Sequence, residues 1–151
     1  MSLVRTAFVP LPAGARVGFD HADVSNRKRR LYVAHTGADR VEVIDCEAPA
    51  FLHSLSGLPG VAGVLIDEQD DLLFTSDRDA ARVSMFRCSE ELLHARVAVG
   101  PHPNGLAYDR RRSRLSSFNL GEPLGENCTV TVVDVDAAAP TAEIALPGRP
   151  R

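Results

Sequence analysis

The chain has 151 residues, enough for one domain with a real core, and its 44% hydrophobic and 25% charged content is ordinary for a soluble globular protein. A net charge of −3 gives no global attraction to nucleic acid or to an anionic membrane. No apolar run approaches the ~20 residues that cross a bilayer, so a membrane partner is not expected.

The N-terminal stretch "MSLVRTAFVPLPAG" has one Arg, no unbroken apolar segment and two prolines, and reads as mature sequence rather than a signal peptide. That makes the cytoplasm the default location, with periplasm or secretion following if a leader was trimmed. Within this stretch "VRTAFV" (4–9) predicts a leading strand. From there the pattern repeats. "VGFDHADV" (17–24), "LYVAH" (31–35), "VEVID" (41–45) and "FLHSLS" (51–56) are four short strands, A to D, separated by Gly, Asp, Asn and Pro. "VAGVLID" (61–67), "LFTSD" (73–77), "VSMFR" (83–87) and "ARVAV" (95–99) are the second set. "NGLAYD" (104–109), "LSSFN" (115–119), "VTVVD" (130–134) and "AEIAL" (142–146) are the third.

Aligning Arg40–Val41 with Arg82–Val83 sets the first offset at 42 residues and pairs Tyr32 with Phe74, His35 with Asp77 and Cys46 with Cys88. Four short strands per unit with a period in the low forties is the signature of a β-propeller blade. No stretch has a helical period over ten residues. The expected fold is all-β: three four-stranded antiparallel blades, 17–56, 61–99 and 104–146, plus the leading strand, in one domain over 1–151. Three cysteines cannot all pair within one chain. Cys46 and Cys88 fall at equivalent positions on separate sheets, ~10 Å apart or more, whereas a disulfide wants Cα atoms within ~7 Å. Free thiols are expected at Cys46, Cys88 and Cys128.

"LYVAHTGADRVEVID" resembles the repeat of the YVTN-repeat β-propeller family, and "VAVGPHPNGLAYD" (97–109) is similar to that family's link between blades. The resemblance runs from about Val4 to Gly148 and implies a partial propeller. It names no activity, since propellers host many. The chain departs from the family repeat in several places. The Asn that ends the motif is His35 and Asp77 in the first two copies and survives as Asn119. The aromatic of the B strand becomes Ser116, and "LGEPLGEN" (120–127) lengthens the third B–C loop by five residues. A lost buried aromatic costs ~3 kcal/mol or more, so blade three is expected to be the loosest.

In a propeller the D–A and B–C loops share the face with the mouth of the central channel. His21, His35, Asp77, His102, Asn104 and Asn119 are the candidate ligand residues there. His35, Asp77 and Asn119 share one repeat position and are expected to hydrogen-bond their own B–C turns. No catalytic residue, metal or cofactor is expected. If a divalent cation binds, those three residues are its candidate ligands, with His21 and His102 nearby. There is no G-x-S-x-G, HExxH, CxxC or P-loop.

The expected function is a non-catalytic propeller module binding a small molecule or protein through its loop face. The alternative is a metal-dependent lactonase- or lyase-like propeller enzyme. On the opposite face the A–B tips read "RKRR" (27–30), "EQDD" (68–71) and "RRRSR" (110–114). Solvated hairpin ends account for them; polyanion binding is a second alternative, against which stand the acidic middle tip and the lack of stacking aromatics. Nucleic acid is therefore not the expected partner. Rings typically hold 4–8 blades, so three blades need a homo-oligomer or the remainder of a longer propeller to close.

Overall fold

Alternating side chains on short runs, broken by turn residues, leave this sequence little choice but hairpins. In the computed structural model, which describes residues 3–14, 16 and 18–148, they form three successive four-stranded meanders. Blade one is β1 (Ala22–Ser25), β2 (Arg30–His35), β3 (Arg40–Asp45) and β4 (Ala50–Ser56). Blade two is β5 (Val61–Asp67), β6 (Leu72–Asp77), β7 (Arg82–Arg87) and β8 (Leu92–Ala98). Blade three is β9 (Pro103–Asp109), β10 (Arg114–Asn119), β11 (Thr129–Asp134) and β12 (Ala139–Ala145). Each sheet is antiparallel in simple sequence order, and the three sheets do not close into a ring. All three carry a bulge at one repeat position, where β4, β8 and β12 slip beside Ile44, Phe86 and Val133. Such a bulge bends the outermost strand and increases its twist.

Period two gives each blade a forward face, toward the next blade, and a receiving face, toward the previous one. Tyr32, Ala34, Val41 and Val43 on the forward face of blade one pack with Val64, Leu73 and Phe86 of blade two. Phe74, Val83, Met85 and Val97 on the forward face of blade two pack with Leu115 and Val133 of blade three. The core is therefore two seams between sheets rather than one central mass. The innermost strands approach closely. His21 N–H donates to the Ala62 carbonyl at 3.1 Å, and Ser76 Oγ accepts from Gly63 N–H and donates to the Asn104 carbonyl, both at 2.7 Å. A Cβ on Gly63 would collide with that Asn104 oxygen and with Ser76 Oγ, so only glycine fits.

Two expectations are corrected. Residues 4–9 are not a strand, and Val4 and Phe8 are exposed. The first A strand is regular only over β1, although Asp20 N–H and the His21 carbonyl already bond to Ala34 at 3.0 and 2.9 Å. Its expected first residue, Val17, lies outside the described residues, as does Ala15. The missing aromatic at Ser116 also opens no void in a seam. Leu115 and Ser117 face blade two, so alternation turns Ser116 onto the forward face of blade three, which no blade covers. The penalty that made blade three the loosest has no site to act on.

Candidate functional site

His35, Asp77 and Asn119 end the second strand of their blades, side chains on the receiving face, opposite the first residues of the third strand. All three are buried. Their shared position does not bring them together. His35 Nδ1 lies 2.7 Å from Glu42 Oε1, and Arg40 Nε donates to the same oxygen at 2.7 Å. Asp77 accepts from Thr75, Arg82 and Ser84 at 2.7–2.8 Å. Asn119 accepts from Ser117 at 3.0 Å and donates to Thr129 and Thr131 at 2.9 Å. Neither His35 nor Asp77 bonds the backbone of the turn that follows it, which corrects the turn-capping expectation. Each instead orders a cluster on the facing strand, because a buried polar group must find a partner.

These clusters hold the link that enters each blade. Arg82 donates to the Gly57 carbonyl at 3.0 Å, Thr131 Oγ1 accepts from Gly100 N–H at 3.1 Å, and Arg40 donates to the Pro12 and Ala13 carbonyls at 2.9 and 3.1 Å. Glu42, fully buried, is pushed up by burial, yet the hydrogen bonds from Ser54, Arg40 and His35 outweigh that and bring its pKa below the ordinary carboxylate value. Phe19 stacks on His35 with ring centroids 4.2 Å apart. These side chains are spent on architecture. Among the described residues, no group of three or more His, Cys, Asp or Glu side chains is placed to hold a metal ion.

The mouth itself is built by residues that the sequence marks less clearly. Arg78, first in the turn after β6, reaches across the inner wall, donating to Asp20 at 2.9 Å and to Asn104 at 2.7 Å. It thereby ties the entry to blade one to the first strand of blade three. Its Nε is buried without a partner. His21 sits half-exposed with Nδ1 2.7 Å from Asp20. Of the candidates, His21 and Asn104 thus meet in one cluster, while His102 turns away to bond the Gly121 carbonyl at 3.0 Å. Arg78 and Asp20 were not foreseen. The available signal was a cation at the repeat position held by Thr36 and Leu120 in the other blades.

On the opposite face the alternating tips are not independent solvated ends. Glu68 accepts from Ser25 Oγ and Arg27 N–H at 2.7 Å. Asp67 takes the Arg110 guanidinium at 2.5 Å, and Asp70 accepts from Tyr108 at 2.8 Å. In the turn after β7, Glu91 receives Lys28 at 3.0 Å, Arg30 and Tyr32 at 2.7 Å, and His53. The acidic tip is the electrostatic filler between two basic ones. Cys46 is exposed, Cys88 and Cys128 are buried, and all three are free thiols.

No family model matches the chain, and no curated protein matches it. Among solved structures, the Kuenenia stuttgartiensis hydrazine synthase is similar over 98% of this chain and 40% of its own, with a TM-score of 0.77 and 11% identity. The WD40 β-propeller domain of Doa1 is similar over 85% of this chain and 41% of its own, with a TM-score of 0.68 and 13% identity. The chain spans about two fifths of the length of each. At such identities the likeness shows the fold alone, and that fold is the β-propeller.

Proposed function

We propose that this chain is a non-catalytic β-propeller module of the YVTN-repeat type that binds a small molecule or a protein segment through its loop face. The observation that carries the reading is the convergence of Asp20, His21, Arg78 and Asn104, drawn from all three blades, on the inner wall of the mouth. A guanidinium held by side chains from two other blades is rigid at low entropic cost, and preorganised polar groups are what a binding site supplies. The repeat-position residues that would build a metal-dependent enzyme are instead engaged within their own blades.

The test is saturable binding without turnover. Thermal-shift screening of the purified chain against a panel of small carboxylates, phosphates and short peptides identifies responders. Titration calorimetry and mass spectrometry of the recovered compound then measure affinity and any conversion. Arg78→Gln and Asn104→Ala should each weaken a genuine responder about tenfold, the value of one well-made polar contact. Responses that are identical in both variants, or a ligand that comes back chemically changed, would remove this reading.

A further inference from the structure

The two end faces of the arc repeat the chemistry of the faces already buried inside it. At each seam the forward blade presents a large and a small residue two apart on its second strand, Tyr32 with Ala34 and Phe74 with Ser76, all buried. Blade three presents the same pair in reverse order, Ser116 with Phe118, and both are partly exposed. The receiving face of blade one offers Leu31, Val33 and Ile44 where blade two buries Leu73, Thr75 and Phe86. Neither end carries the polar outer surface that terminates a stack of repeats.

The polar fittings match as well. At the base of the inner seams Ser25 meets Glu68 and Asp67 meets Arg110. Repeat equivalence puts Asp109 of blade three opposite Asn26 of blade one across a third seam, again an acceptor facing a donor. The incoming link is also in place. Arg40 grips the Pro12 and Ala13 carbonyls and Arg82 grips the Gly57 carbonyl, and ahead of the first link Leu3, Val4 and Phe8 are exposed.

We propose that the occupant of both end faces is a second copy of this chain. Blade three of each copy seats on the receiving face of blade one of the other, about a twofold axis along the channel. Two arcs of three blades close a six-bladed ring, within the usual 4–8. The unpaired outer edge of β12 lies beside residues 3–9 of the partner copy and offers them the ladder that they lack. The ring gives the mouth its second half, but its existence does not rest on the mouth being a binding site.

Sedimentation velocity and light scattering of the full chain at micromolar concentration should give twice the chain mass. Val33→Lys and Phe118→Lys should each dissociate it, raising the dissociation constant about 100-fold or more because both seams are struck. Mixed one to one, the two variants keep one intact seam and recover dimer. Asn26→Asp places like charges at the exposed base without touching the core; it should weaken the dimer, and adding Asp109→Asn should restore it. A wild-type monomer, open-ended oligomers, or a mixture that stays monomeric would each overturn the proposal.

Discussion

The two seams of the arc share a backbone plan and a similar apolar filling, yet they are locked differently. Between blades one and two, Glu91 sits with 10% of its side chain exposed and takes hydrogen bonds from four side chains of the neighbouring blade. Between blades two and three, Ala138 holds the position equivalent to Glu91. That seam is closed at its base by the half-exposed Arg110 guanidinium on the buried Asp67 instead. It leaves an open cleft of about 470 Å³ lined by Asp70, Arg87, His94, Tyr108, Arg110 and Asp136. Losing a carboxylate that holds four side chains is costly, whereas losing one half-exposed guanidinium costs less when its buried carboxylate still accepts backbone hydrogen bonds from Gln69 and Asp70. One seam is fastened by its carboxylate and the other by its apolar packing.

Removing the fastener should give the largest effect. Glu91→Gln leaves Lys28 and Arg30 facing an uncharged group, and we expect a loss of about 3 kcal/mol in urea unfolding. A loss below half of that would mean that the two seams are locked alike. The same residue sets the acid limb. Burial pushes the Glu91 carboxyl up, but the hydrogen bonds from Tyr32, Lys28 and His53 and the Lys28 charge outweigh it and bring it down to about 2 from an ordinary 4.5. A carboxylate lowered on folding contributes fully above its unfolded value, so this stability is present above about pH 5 and lost as the pH falls from 4.5 toward 2. Wild type should lose more stability over that interval than Glu91→Gln, and parallel acid curves would contradict the assignment.

The second seam should break from inside. Gly63→Ala drives a methyl group into the Asn104 carbonyl and Ser76 Oγ, and overpacking of this kind costs about 2 kcal/mol. Hydrogen exchange should show the lost protection in β5 and β9 before β2 and β3. The smallest effect belongs to Arg110→Gln, whose guanidinium is 46% exposed. Its urea midpoint should shift less than that of either other variant, and the shift should shrink in high salt. A shift as large as that of Glu91→Gln would erase the contrast between the seams.

Much of the arc was legible in the residues. Alternation and turn chemistry act over two to four positions, so the twelve strands follow from local pattern, and the 42-residue offset between Arg40 and Arg82 orders them into blades. Even the clasped positions were picked out, because His35, Asp77 and Asn119 recur where a repeat demands a polar residue. Their task was not legible. Whether a buried polar side chain caps its own turn, holds a ligand or grips an incoming link depends on which strand packs beside it. That neighbour can lie close in sequence, as Glu42 does to His35, or come from a different part of the chain, as Gly57 does to Arg82.

The same distinction separates what each level decided for this protein. The sequence alone determined the all-β repeat, its three blades and the alternation of charge on the tips, since these depend on side-chain type and spacing. Tertiary structure alone decided that the acidic tip joins the basic ones, that Arg78 bridges Asp20 and Asn104, and that Ser116 faces outward rather than into a seam. Those contacts join residues 26 to 58 positions apart or depend on which face of a sheet the next blade covers. Only the packing of one sheet on another fixes either.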